Sequence, residues 1–327
     1  MPMILILTAH GDHSTDQTID WLNYYNVQYQ RINIDDLLAN HTVAYSIDHN
    51  HSEFTIDQHQ TSDFKVVWFR KSGVFRSSDL MLQSKNILSD QLSSFLSFEY
   101  TAFIQALTIS FTKAKWLCNI EAVNSLDKTK QLILASKAGL DIPESLITND
   151  RKQAIAFLQK LKGKSIIKPL AESEIFGTPE NKYSISPKLL SKDFFRYFKR
   201  KKFLPSLIQE YLEKDIELRI FYLDSECYAM AIFSQLDEQT KVDYRNYNFK
   251  KPNRFVPYNL PKTILKSIQC FMEYAGLNTG SIDMIKTKSG RFVFLEVNPK
   301  GQYDMVSNPC NYFLEEKIAL SLINKLN

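Results

Sequence analysis

Two hydrophobic periods alternate along the chain. Met3-Ile4-Leu5-Ile6-Leu7 is a short unbroken apolar run, the pattern of a parallel strand buried on both faces. Helical spacing follows over residues 15–25, an alternating strand over 27–34, and a second apolar strand over 64–69. A long helical segment over about 84–110 precedes Lys115-Trp116-Leu117-Cys118. Strands alternating with helices predict a parallel α/β unit over residues 1–120. It carries no GxGxxG, so the pattern gives no dinucleotide site.

The rhythm then changes. Residues 124–138 read as a helix that stops at Gly139, Pro143 opens an extended run, and Asn149 is a cap for the next helix. A strand is predicted over 164–170, a polar loop or loose hairpin over 171–187, and a helix over 187–202. From Leu207 onward the pattern is antiparallel, with strands at 207–211, 216–223 and 227–234. A helix over 262–275 ends at Gly276, two strands flank Ser289-Gly290, and a last helix runs from Tyr312. The expected organisation is an α/β (α+β) chain in three segments: 1–120, 121–205 and 206–327.

Composition narrows the chemistry. The chain of 327 residues is 44% hydrophobic and 23% charged, the profile of a globular protein with sizeable cores. It holds no apolar run of membrane-spanning length, and residues 1–8 read as a strand rather than a signal peptide, so a cytoplasmic protein is expected. A net charge of +4 is too mild to indicate nucleic acid. Cys118, Cys227, Cys270 and Cys310 form no CxxC pair and fit reduced core thiols. All six histidines precede residue 60, which removes histidine chemistry from the C-terminal half. The spacing of His41, His49, His51 and His59 matches no metal motif.

The most informative stretch runs from Ser281 to Pro299, two apolar strands around a turn. With Ser289-Gly290 as a two-residue loop, Asp283 lies directly opposite Glu296, and Asn298 shares that face. Directly opposed like charges destabilise a sheet unless a cation or a shared proton sits between them. Asp, Glu and an Asn amide make an all-oxygen ligand set suited to Mg²⁺. Ile282, Met284, Leu295 and Val297 fall on the opposite, core face in this register. The alternative is an ordinary hairpin with exposed acids.

Several cations and one extended segment suit a nucleotide. Lys168 sits inside the apolar Ile166-Ile167-Lys168-Pro169, which calls for a paired anion, either a phosphate or a buried acid. Lys128 and Lys130 open a helix, an end where a cation gains nothing from the macrodipole. In Gln209-Glu210-Tyr211-Leu212-Glu213, backbone groups suit an adenine edge and Glu213 suits ribose hydroxyls. Glu217 and Arg219 share a strand face, as an ion pair or as phosphate holders. The segment 187–202 interleaves Arg196, Lys199 and Arg200 with Phe194, Phe195, Tyr197 and Phe198, which is either a docking face for an acidic, apolar peptide or a surface helix with an aromatic core side.

Taken in order, these pieces resemble the ATP-grasp superfamily from about residue 121 to the end. Within it the chain is similar to the graspetide synthetases, the microviridin-type peptide macrocyclases, and most to the grasp-with-spasm maturases. Val67-Trp68-Phe69-Arg70-Lys71, Lys241-Val242-Asp243-Tyr244-Arg245-Asn246-Tyr247 and Asn298-Pro299-Lys300-Gly301-Gln302-Tyr303 carry that finer likeness. The resemblance implies an ADP-forming ligase that uses ATP and two Mg²⁺ ions to activate a side-chain carboxylate of a ribosomal precursor peptide. A Thr or Ser hydroxyl or a Lys amine then closes an ester or amide ring. It implies phosphate contacts from Lys128 (with Lys130 a near alternative) and Lys168, adenine binding at 209–211, and Mg²⁺ at Asp283, Glu296 and Asn298. Arg219, Arg245 and Asp243 are the catalytic candidates, and Arg70, Arg196, Lys199 and Arg200 face the peptide. The family's glycine-rich phosphate loop is reduced here to Gly177. A homodimer and a radical-SAM/SPASM companion are expected by analogy. The competing readings are a ligase joining free amino acids and a non-catalytic ATP-binding module.

Overall fold

The computed structural model describes residues 3–49, 52–71, 87–161, 164–170, 175–177, 182–184, 187–190, 194, 200–237, 239–240, 244 and 248–327. These form two compact units. The first comprises 1–123, 277–280 and 299–327, the second 124–276 and 281–298.

The first unit begins with β1 (Met3–Thr8), whose Ile4–Leu7 run is wholly buried. It continues through α1 (His13–Tyr24), β2 (Tyr29–Asn33), α2 (Leu37–Asn40), β3 (Val43–Ile47), β4 (Ser52–Ile56), β5 (His59–Gln60), β6 (Phe64–Phe69), α3 (Ile87–Ile109), β7 (Lys115–Leu117) and α4 (Ile120–Asn124). The predicted parallel sheet has the order β2-β1-β6-β7. Sequence reading missed the three-stranded antiparallel sheet β3-β4-β5, whose strands are short, five residues or fewer. It also holds part of the histidine-rich stretch: His41 Nδ1 lies 2.9 Å from Asp57 Oδ2, and His59 lies 3.8 Å from Asp63.

A polar network is buried where β1 and β6 end. Asp12, 1% exposed, accepts hydrogen bonds from Thr8 (2.8 Å) and Thr15 (2.6 Å) and lies 3.1 Å from Lys71 Nζ and 3.7 Å from Arg70 Nε. Burial alone would raise the Asp12 carboxyl. The charge of Arg70 and the bonds from Thr15, Thr8 and Lys71 outweigh it and hold the group below its ordinary value. Arg70 also donates to the carbonyl of Lys300 and stacks over Tyr303, whose hydroxyl meets Thr18 at 2.7 Å.

The second unit opens with α5 (Lys128–Lys137). The helix predicted over 124–138 is present but begins later than expected. Asp127 is extended and its side chain accepts the N–H of Lys130 at 2.8 Å, so a new helix starts at Lys128. The unit then runs through β8 (Ser145–Asp150), α6 (Arg151–Leu161), β9 (Ser165–Lys168), β10 (Ile175–Gly177), β11 (Lys182–Ser184), β12 (Lys188–Leu190), β13 (Lys202–Glu210), β14 (Lys214–Leu223), β15 (Glu226–Phe233), β16 (Arg254–Tyr258), α7 (Lys262–Ala275), β17 (Thr279–Thr287) and β18 (Phe292–Asn298). The cap of α6 is Asp150, which accepts from Gln153 N at 3.0 Å, rather than Asn149. At the ends of the helix expected over 187–202, residues 188–190 are instead a strand paired with 165–167 and Lys202 opens β13, while Phe194 is helical. Residues 191–193 and 195–199 lie outside those described.

Two larger sheets, β12-β9-β13-β8 and β16-β15-β14-β17-β18, and the two-stranded β10-β11 are described in this unit. The first packs Ile208 and Leu190 on Ala154 of α6. Beneath the second lies α7, where Phe271 meets Phe294 with ring centroids 4.8 Å apart. After β18 the chain returns to the first unit as α8 (Asp304–Cys310) and α9 (Leu314–Leu326), the latter against α1. Among the described residues no helix is long and apolar enough to cross a membrane.

The β17–β18 connection differs from the predicted two-residue loop. Gly290 N donates to Thr287 O, Thr287 N donates to Arg291 O, and Gly290 has φ +87°. The loop is therefore three residues, 288–290, closed by a left-handed glycine. A register shift between Asp283 and Met284 then leaves Leu295 as an extra residue on β18 and brings Asp283 back opposite Glu296.

Gly290→Ala should lower stability by about 1 kcal/mol through backbone strain alone, because nothing lies near its missing Cβ. Urea unfolding measures this, and an unchanged midpoint would refute the left-handed turn. Asp12→Asn tests the buried network. A carboxyl held below its unfolded value of 3.8 stabilises the fold above that pH, and the contribution is lost as pH falls through the folded value. The variant should be weaker at neutral pH and converge on the wild type in acid; a gap independent of pH would contradict the carboxylate's role.

Candidate active site

A cleft of about 500 Å³ opens in the second unit. One wall is the sheet carrying Ile166, Lys168 and Gln209; the other is β17–β18 with Asp283, Ile285, Leu295, Glu296 and Asn298. The start of α5 contributes Asp127, Lys128 and Gln131. Nine predicted site residues thus line one cavity: Lys128, Lys168, Gln209, Glu210, Tyr211, Glu217, Asp283, Glu296 and Asn298.

Local structure fixes each wall. Gln131 lies one turn from Lys128 on α5, and its Oε1 accepts the backbone N–H of Val297 at 2.8 Å. One side chain thereby sets the helix bearing Lys128 against the strand bearing Glu296 and Asn298; sequence reading did not single it out. Lys128 Nζ donates to Pro169 O at 3.2 Å, beside Lys168. Lys130 turns instead to Ser125 at 3.1 Å and does not line the cleft.

The hinge is more committed than expected. The N–H groups of Glu210 and Tyr211 donate to Glu144 O and Lys164 O, both at 3.0 Å, so they hold the strands together. Gln209, 2% exposed, donates to Ser145 Oγ at 2.8 Å. Glu213 is exposed and is not part of the lining. Beyond the hinge, Leu212, Ile285, Val293 and Leu295 form an apolar cluster. The extra residue at the bulge explains why Leu295, predicted to face the core, lines the cleft.

Glu217 and Arg219 form no ion pair with each other. Arg219, 8% exposed, binds Asp283 at 2.8 Å. Burial opposes its charge, but the fields of Asp283, Tyr244 and Glu296 more than compensate and keep the guanidinium protonated. Glu217, also 8% exposed, pairs with Lys214 at 3.0 Å and accepts from Ser234 Oγ at 2.5 Å. Lys214 was missed, since a charge pair at the start of a strand reads as solvated surface. Asp243, Arg245, Arg196 and Lys199 fall outside the described residues; Arg200 is exposed. Arg70, in the first unit, is 3% exposed and engaged by Lys300 O and the Tyr303 ring.

Among the described residues no group of three or more His, Cys, Asp or Glu side chains makes a metal site. The cleft offers two opposed carboxylates and an amide. That sparse oxygen set fits Mg²⁺, which keeps several waters and takes the rest of its shell from phosphates. An apolar end, two lysines and an acidic edge along one cavity fit a magnesium-bound nucleotide.

No family model matches the chain. The architecture is that of the ATP-grasp ligases. An ATP-grasp ligase of Chryseobacterium gregarium, associated with ribosomally made and modified peptides (RiPPs) and solved with ADP and a leader and core peptide, is 22% identical, with a TM-score of 0.86 over 100% of this chain and 96% of that one. The macrocyclase MdnC of Microcystis aeruginosa MRC, bound with precursor peptide MdnA, is 25% identical, with a TM-score of 0.83 over 98% and 99%. A curated relative, the probable alpha-L-glutamate ligase of Haemophilus influenzae, is 25% identical over 191 residues, 56% of this chain. That match spans 58% of the relative's own length.

Glu296→Gln, which keeps shape and removes charge, should abolish the Mg²⁺ dependence of ADP binding while leaving the thermal unfolding profile intact. Calorimetry with and without Mg²⁺ reads this, and an unchanged Mg²⁺ effect would remove Glu296 from the metal site.

Proposed function

We propose that this protein is an ATP- and Mg²⁺-dependent ligase that joins side chains within a ribosomal precursor peptide. It phosphorylates an Asp or Glu side chain of the peptide, and a Thr or Ser hydroxyl or a Lys amine captures the acyl phosphate as a macrocyclic ester or amide. The observation that carries this reading is the Asp283–Glu296 opposition on the wall of a cleft that also holds Lys128 and Lys168. The likeness to MdnC along nearly the whole chain supports a peptide as substrate.

Phosphoryl transfer of this kind is largely positioning and charge stabilisation. Asp283, Glu296 and Asn298 would hold Mg²⁺, which would neutralise phosphate charge there. Lys128 and Lys168 hold the phosphates. The apolar cluster at Leu212 and Leu295 covers the base. Arg219 offers a fork matched to a carboxylate or an acyl phosphate, and its bond to Asp283 keeps it at the metal edge. Arg245 is assigned the same anionic group, and Asp243 the orientation of Arg245 or the proton of the attacking hydroxyl or amine. Arg70, Arg196, Lys199 and Arg200 are assigned to the peptide. The dimer and the radical-SAM/SPASM companion rest on the family resemblance alone.

A second reading, a ligase adding free amino acids, is favoured by the glutamate-ligase match. Incubation with ATP, Mg²⁺ and a Thr/Glu-rich peptide encoded beside the gene separates the two by intact mass. Loss of one water per bond formed, dependent on ATP, is the expected result. ADP release with a free amino acid and no change in peptide mass would replace it with the second reading.

A further inference from the structure

Gln131 grips β18 at one particular amide. That strand is the last of its sheet, and a bulge at Leu295 interrupts its ladder with β17 immediately before Glu296. The ladder alone therefore constrains the backbone of the acid less than a regular strand would. Two groups from outside the sheet restrain it. Asp141 O accepts Phe294 N at 2.8 Å on one side of the bulge, and Gln131 Oε1 accepts Val297 N at 2.8 Å on the other. Val297 N belongs to the peptide unit that joins Glu296 to Val297, and Asn298 follows it. Gln131 thus fixes the backbone between the two side chains of that strand assigned to the metal.

Gln131 is 7% exposed, and its own N–H is tied to Asp127 O at 2.9 Å at the start of α5. Covering a strand edge does not by itself call for this residue. A backbone carbonyl does the same for Phe294, without the conformational entropy that ordering a long amide side chain costs. What the side chain adds is a direct tie to the helix that carries Lys128, so that one bond sets the metal edge against the phosphate cation. Precision at that edge matters for one ion above others. Mg²⁺ demands near-ideal octahedral geometry, whereas Ca²⁺ accepts irregular and variable oxygen shells. A ligand backbone left free to shift would penalise Mg²⁺ far more than Ca²⁺.

Resting on the Mg²⁺ reading above, we propose that Gln131 is the positioning residue that makes the Glu296–Asn298 edge selective for Mg²⁺ over Ca²⁺, acting through Val297 N rather than on the ion. The test is calorimetry of ADP binding without metal, with Mg²⁺ and with Ca²⁺, on the wild type and on Gln131→Met, which keeps the length and loses the acceptor. Hydrogen exchange of the β18 amides should quicken in the variant with no metal present. The gain in ADP affinity that Mg²⁺ brings should fall about tenfold, the usual effect of losing a group that orients a metal ligand, while the gain from Ca²⁺ changes by less than about threefold. If the Met variant does not fold, Gln131→Asn, whose amide is drawn back by one methylene, should move the preference in the same direction by a smaller factor. An unchanged ratio of the two gains in a folded variant would make the bond purely structural and overturn the assignment. Equal losses for both ions would overturn it too, by tracing the effect to charge or fold. A wild type whose ADP affinity ignores Mg²⁺ would instead sink the metal reading itself, and the assignment with it.

Discussion

Two carboxylates facing each other across a β-ladder form the constraint around which the second unit is arranged. Asp283 and Glu296 are opposed, a placement that costs stability in a bare sheet. The protein meets part of that cost itself, by turning the buried Arg219 onto Asp283. A cation bound between the two acids would offset the remainder. The surrounding features can be understood from this pair: the helix that carries Lys128 is tied to the acid-bearing strand, and the apolar patch lies farther along the same two strands.

The opposition was legible in the sequence, but by a route the structure does not take. A two-residue loop and an unbroken ladder place Asp283 against Glu296; so do a three-residue loop and a compensating bulge at Leu295. Two one-residue departures cancel at the acids. They do not cancel at Leu295, which therefore faces the cleft and supplies apolar surface that alternation had assigned to the core. Spacing read from sequence is reliable here for the paired residues and fails between the loop and the bulge.

Elements set by local signals were the most readable. The buried run of β1, the helix ending at Gly276 with φ +68°, and the strands around 289–290 all follow from periodicity and glycine placement. Misreadings arose where non-local pairing decides. Lys188-Leu189-Leu190 becomes a strand because 165–167 lies beside it. Gln131 and Lys214 carry no sequence signal, since the first acts through a distant backbone N–H and the second matters only because it is buried at a cavity. In the first unit, the burial of Arg70 and its hold on residues 300–303 likewise come from distant partners, the Lys300 carbonyl and the Tyr303 ring.

The strand that carries Glu296 and Asn298 is the last of its sheet, with one backbone edge turned away from β17. Two donors on that edge are already engaged. Phe294 N donates to Asp141 O at 2.8 Å, and Val297 N to Gln131 Oε1 at 2.8 Å. The spacing of three between these donors, where a regular strand repeats every two, is the bulge seen from outside. An open edge beside a cleft would invite any extended chain to add itself as another strand. With these two donors taken, the acid-bearing part of the strand resists that kind of capture, and with it edge-to-edge aggregation.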